Sequence, residues 1–423
     1  MIMGEYWQLH DEAALQRIDR AAIHLLTACG ARIKHAGLLS MLEEAGCRID
    51  WPAERCYFRE ALIRQAVAHL GKPQRHSVTI PTGWQRHHSL GHSGSFPHLL
   101  EWPKGQRRLA TQQDIREMAK MAQMLDEFCS VGRVLTCAEV DPRIEPLWTT
   151  MQLAAITDKP IAGGEILYPQ YIEPLVRMGE VLSGVPGDTS LIAPCDFFIA
   201  PLIFDQQQAA CFLEKRKFGL PNVPGTMPIS GLSAPVTIAG AVTLAVAELL
   251  AGWVMGYVVS PEAPASGIVA SGSIDLRATT ACFGSPEALL QDLATTQLCR
   301  RLYGIAITPA TGYTDCTKPG IEAVFLKMLP LLMIPFGVAP EFCCSGLLSA
   351  GQDYSPVQQL LELEMQEAMQ RFWGTFDVND ETIALEVIEE TMRHAATNFL
   401  ETDHTLAHYR TEQWYPRLFK RLP

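Results

Sequence analysis

The side chains able to do chemistry gather in this sequence at the ends of short apolar runs. Glu165 follows KPIAGG, and Asp196 with Phe197 closes SLIAPCDFF. Met227 sits at the end of PNVPGTMP, and Ser271 and Ser273 end SGIVASGS. Thr311 and Tyr313 follow IAITP, while Glu341, Phe342 and Cys343 stand within VAPEFCCSG. These are carboxylates, hydroxyls, sulfurs and aromatic rings, which suit recognition of a small molecule. No phosphate loop of the GxxxxGK type is present, and no GxGxxG follows a strand, so nucleotide chemistry loses support. No GxSxG elbow and no HExxH helix supplies a nucleophile or a metal-bound water. Cys343 and Cys344 are adjacent, so on a strand they point to opposite faces and do not share one zinc ion. His404 and His408 lie four apart and can share a helix face, but TDHTLAHYRTEQWYP reads as a docking tail rather than a metal site.

The elements that must position these groups alternate. From about residue 128 the runs CSVGRVL, KPIAGGEI, SLIAPCDFF, PNVPGTMP, SGIVASGS, IAITPATG and VAPEFCCSG are separated by helical patterns. Ser285 before Pro286, and Ser355 before Pro356 with Gln358 at the third position, mark two helix starts. Strand-then-helix order implies a parallel sheet covered on both faces, with functional groups at the carboxyl ends of the strands. Seven such units without a cofactor fingerprint favour an α/β fold of the (β/α)8 TIM barrel type, an eighth strand coming from LGHSGSF. Residues 1–110 read as an N-terminal helical cap with a β-hairpin, 111–375 as the barrel and 376–423 as a C-terminal helical extension. In the cap, Leu15, Ile18, Ala22, Leu25 and Leu26 recur at helical spacing and Gly30 ends the run. Pro103, Lys104 and Gly105 make a hairpin turn, after which Thr111 and Asp114 start a helix.

Bulk properties bound the partners. The 423 residues carry a formal charge of -12, which disfavours nucleic acid and anionic membrane. The segment 236–260 holds one charge, Glu248, and is long enough to cross a bilayer. Close Lys or Arg flanks are missing, so it reads as a buried helix. The 12 cysteines fall mostly inside predicted elements rather than in a disulfide framework, and the first residues lack an apolar targeting run. A cytoplasmic protein is expected.

The run GLPNVPGTMPISGLSAPVTIAGAVTLAVAELLAG, then FGSPEALLQDLATTQLCRRLYG, resembles the trimethylamine methyltransferase (MttB) family. GQRRLATQQDI, DYSPVQQLLELEMQEAMQRF and DHTLAHYRTEQWYPRLFKR extend the resemblance over nearly the whole chain from about residue 10. The resemblance implies a barrel that takes a methyl group from a small tertiary or quaternary methylamine. It also implies no cofactor bound directly, the methyl passing to the Co(I) corrinoid (cobalamin) of a separate partner protein. Trimethylamine enzymes of the family carry pyrrolysine, which this sequence lacks. It is therefore similar to the pyrrolysine-free branch, whose substrates are betaines such as glycine betaine, proline betaine and carnitine.

A quaternary ammonium leaves as a neutral tertiary amine, so the reaction needs desolvation and alignment more than a general acid. On this reading Phe197, Tyr313 and Phe342 offer aromatic faces to the cation, and Asp196, Glu165 or Glu341 the counter-charge. At the seventh strand, where betaine-type relatives often have histidine, this sequence has Cys343, followed by Cys344, Ser345 and Gly346. Leu347 and Ser349 stand where relatives commonly show tryptophan and glutamate, and Gly320, Ile321 and Glu322 replace an acidic-small-glutamine run. These departures argue against glycine betaine as the ligand. Two further readings follow: a non-catalytic barrel that binds a methylated ammonium compound, and a sulfonium ligand suited to Cys343 and Met227. The chain is also compatible with a homo-oligomer.

Overall fold

The computed structural model describes residues 6–71, 88–90, 96–338, 346–373, 376–393 and 398–421. At its centre four strands run parallel in chain order: Cys195–Phe197, Val223–Thr226, Gly267–Val269 and Ile307–Pro309. Parallel pairing continues outward from Cys195–Phe197 through single bridges, Gly164 with Ile192 and Val131 with Ile161. The expected strand KPIAGGEI is present only as these bridges. Beyond it, Phe128–Val131 pairs in parallel with His88–Leu90, and Leu135 with Phe96. LGHSGSF therefore does border the strand CSVGRVL at both of its described ends. His98–Glu101 then pairs in parallel with Asp353–Tyr354 and antiparallel with Gln106–Leu109, the hairpin expected around Pro103. The fold is α/β with several parallel strands. Among the described residues no ladder joins Ile307–Pro309 to Leu347–Leu348.

Register fixes which side chains face which layer. Asp196, Pro224, Gly267 and Ile307 form one row across the four strands. Pro224 of that row packs on Gly252 of helix Ile238–Val259, so closely that a Cβ at Gly252 would lie 2.3 Å from it. This row faces the helices. By alternation, Phe197, Gly225, Ile268 and Thr308 face the other way.

Helix Ile238–Val259 is the apolar 236–260 segment, and it is a core helix. Of its most apolar 18 residues 78% are buried, against helices Glu12–His24, Glu60–Leu70 and Pro286–Leu298. Thr111 and Asp114 form the expected capping box, and Ser285 accepts the N–H of Ala288 ahead of Pro286. The N-terminal segment differs from the helical cap expected. Besides its helices it forms Ala31–Ile33, Arg48–Asp50 and Arg55–Tyr57, and Ala31–Ile33 pairs in parallel with Ile203–Phe204. Three-residue strands are too short to show a period of two, so the sequence pattern could not reveal them. The helix expected over 381–399 is interrupted at Ala384, whose φ of 52° separates Asp380–Ile383 from Leu385–Arg393.

Candidate functional site

The side of the central strands turned from the helices is open. Thr308 is exposed there, and Ile268 and Phe197 are half-buried. Phe197 lies flat against the neighbouring strand at Gly225: a Cβ at that glycine would meet the Phe197 ring at 2.6 Å. Glycine is required at Gly225 by this close approach. The result is an aromatic plate backed by main chain at the carboxyl end of Cys195–Phe197. Met227, two residues beyond Gly225, is half-buried beside the strand end.

A second aromatic group lies at other strand ends. Tyr313 and Phe283 hold their ring centroids 5.7 Å apart. The ring edges of Tyr313 and Phe96 both come within 3.4 Å of the position a Cβ would take at Gly351, which adopts φ 90°. Gly351 thus brings together residues from three separate segments. Phe96 closes the run LGHSGSF and Phe283 follows none of the apolar runs, and only the fold joins them to Tyr313.

The carboxylates divide. Asp196 is buried in the row that faces the helices, with Lys215 Nζ at 2.8 Å and Arg216 at 3.5 Å. Burial raises its carboxyl and the neighbouring cations oppose the rise. Lys215 also donates to the carbonyl of Cys195 at 2.7 Å, so it anchors the strand that carries Phe197. Lys215 belongs to the buried stripe of helix Gln206–Lys217, together with Ala209, Cys211 and Phe212. Arg216 is buried beside them, and two adjacent charges at this end of the helix read in the sequence as a solvated face. Glu165 is half-buried, and burial raises its carboxyl against the pull of Lys215 and Arg133. Arg133 donates to the Glu165 carbonyl at 3.0 Å and lies 3.6 Å from Glu145. Glu145 in turn accepts the Cys137 N–H and the Thr149 hydroxyl.

The small polar residues serve the scaffold. Ser273 and Ser285 share a hydrogen bond of 2.8 Å at the start of helix Pro286–Leu298. The Ser271 N–H donates to Asp292 at 2.8 Å, and burial pushes the Asp292 carboxyl up to about 8. Glu248, visible in the sequence as a lone charge, accepts the Leu202 N–H at 2.8 Å and the Thr226 hydroxyl at 2.5 Å. It ties the core helix to two strand ends, and burial raises it to about 7. Thr311 is buried. Glu341, Phe342 and Cys343 lie outside the described residues. The segment after them is held at Gly346, whose N–H donates to Glu362 at 3.0 Å while Glu362 pairs with buried Lys327. Among the described residues no group of three or more His, Cys, Asp or Glu is placed to hold a metal ion.

Residues 3–422 match the family described as trimethylamine methyltransferase (MTTB). The chain is 22% identical over 412 residues to the trimethylamine methyltransferase MttB of Desulfitobacterium hafniense, covering 94% of this chain and 81% of that one. It is 22% identical over 423 residues to a glycine betaine methyltransferase of the same species, covering 97% and 86%. Against a trimethylamine methyltransferase MttB of Methanosarcina barkeri it is 27% identical over 408 residues, covering 92% and 81%. The solved Methanosarcina barkeri monomethylamine methyltransferase (MtmB) aligns with a TM-score of 0.45 at 14% identity, over 97% of this chain and 94% of that one.

Proposed function

Since the chain belongs to the trimethylamine methyltransferase family, we propose that it removes a methyl group from a small tertiary or quaternary methylamine and passes it to a corrinoid carried by a separate protein. The observation that carries this reading is the Phe197 plate on the open strand face, backed by Gly225. An aromatic face attracts a methylated ammonium by about 0.5–2 kcal/mol, and more as water is excluded. Met227 adds a polarisable neighbour to the apolar floor. Glu165 is the better counter-charge, since Asp196 faces the helices and is already paired with Lys215.

The corrinoid supplies a Co(I) nucleophile that accepts the methyl. This chain's part is to bind the cation, hold one methyl outward and keep water from the carbon–nitrogen bond. A substrate that is already quaternary needs no proton, and among the described residues the open strand face carries no evident acid–base pair. An acceptor on another protein must approach from outside, and the exposure of Thr308 leaves this face reachable. A closed (β/α)8 barrel belongs to the same proposal. It is supported by the chain-ordered parallel neighbours and by hydrogen bonds from Ser349 and Ala350 N–H to the Cys316 and Thr314 carbonyls, 2.8 and 2.7 Å. A cytoplasmic location is part of the same reading.

The test of recognition compares each trimethylammonium ligand with its neutral isostere, in which carbon replaces the charged nitrogen. Calorimetry is expected to show tighter binding of the cation, with the difference lost in Phe197→Ala. Equal binding of cation and isostere would contradict the aromatic plate.

A further inference from the structure

Strands His98–Glu101, Gln106–Leu109 and Asp353–Tyr354 share a small sheet, and their register puts His98, Leu100, Arg107, Leu109 and Asp353 on one face. Glu101 and Arg108 lie on the other face, where they pair with each other at 2.6 Å. Among the described residues, Arg107 and Asp353 are the charged side chains that meet His98. Asp353 is buried, with Arg107 Nε 2.6 Å from its Oδ1, and the Arg107 side chain reaches solvent.

One nitrogen of His98 meets two opposed demands. Arg107 Nη2 lies 3.0 Å from His98 Nδ1, and the Gln352 carbonyl oxygen lies 3.2 Å from the same nitrogen. A guanidinium only donates and a carbonyl only accepts, so Nδ1 serves one of them at a time. When bare, Nδ1 accepts from Arg107. In the imidazolium it donates to Gln352, and Asp353 Oδ1 at 3.7 Å becomes its counter-charge while Arg107 faces a like charge.

Gln352 and Asp353 close a turn that reaches Tyr313. Ser349, Ala350 and Gly351 take φ of 52°, 52° and 90°, a left-handed run that is unfavourable for serine and alanine. Few bonds hold it: Ser349 Oγ donates to Asp353 Oδ2 at 2.6 Å, and the Ala350 N–H donates to the Thr314 carbonyl at 2.7 Å. Gly351 rests against the rings of Tyr313 and Phe96. A strained turn anchored on Asp353 responds when the partners of that carboxylate change.

We propose that His98, with Arg107 and Asp353, is a proton-sensitive positioning device for Tyr313. Uptake of a proton by His98 releases Arg107, draws Gln352 and Asp353 toward the imidazolium and shifts the Ser349–Gly351 turn beside the Tyr313 ring. The device concerns the placement of that ring and is independent of the methyl-transfer reading.

Nuclear magnetic resonance of the full chain, isotope-labelled at the Cε atoms of histidine and tyrosine, tests the proposal over roughly pH 5 to 8. His98→Gln and Tyr313→Phe identify the two signals by their loss. The Tyr313 signal is expected to move with the same midpoint as the His98 signal and to become independent of pH in His98→Gln. Ser349→Ala, which cuts the turn from Asp353, is expected to leave the His98 titration in place and to at least halve the Tyr313 response. A Tyr313 signal that stays constant over this range, or one that titrates unchanged in both variants, would overturn the proposal.

Discussion

Phe197 and Gly225 act as one unit. Gly225→Ala places a methyl 2.6 Å from the ring and pushes it from the strand, whereas Phe197→Ala removes the plate. Both are expected to lower kcat/KM for methyl transfer by about five- to thirtyfold, equivalent to about 1–2 kcal/mol of cation recognition. Steady-state assays alongside circular dichroism would separate this loss from unfolding. Asp292 makes a different prediction, one of stability. Its carboxyl is raised from an ordinary value of about 4 to about 8 by burial, so the folded chain binds the proton more tightly than the unfolded chain. That contribution is complete below about pH 4 and is lost as pH rises to about 8. Asp292→Asn, which can still accept the Ser271 N–H, is expected to flatten this slope and to be the more stable chain at pH 8, as read by urea unfolding at several pH values.

Among elements, helices Ile321–Met328 and Pro356–Trp373 are joined by the buried Lys327–Glu362 pair. Lys327→Met strands the Glu362 carboxylate and is expected to cost about 3–5 kcal/mol in denaturant unfolding. Adding Glu362→Gln should recover part of that loss, because no bare charge remains. This pair also illustrates what the sequence left hidden. Helix starts at Thr111 and Ser285 were legible because capping chemistry is local. The central parallel strands were legible as apolar runs between helices. The Lys327–Glu362 and Asp196–Lys215 pairs were not, since each partner looks like an ordinary surface charge until the fold buries it. The same holds for Tyr313, which meets Phe96 at Gly351 and packs against Phe283. Phe197 and Met227 were recognisable as strand-end residues, but the sequence did not separate the open face from the helix face that took Asp196.

At the scale of the whole molecule, the helices close one side of the parallel strands and leave the other reachable. The core helix Ile238–Val259 is spent on its neighbours, and Glu248 turns its single charge inward to pin two strand ends. On the proposed function, this arrangement would keep the Phe197 plate fixed for a substrate and an acceptor that arrive from the free side. Methyl transfer to a corrinoid is read from the absorbance of methylated cobalt. The purified chain would be mixed with reduced corrinoid protein and each member of a panel of tertiary and quaternary methylamines. Methylated cobalt is expected to form with at least one amine, only when all three components are present, and with equal loss of one methyl from that amine. Binding of an amine without methyl loss across the whole panel, or methyl transfer that proceeds without the corrinoid protein, would contradict it.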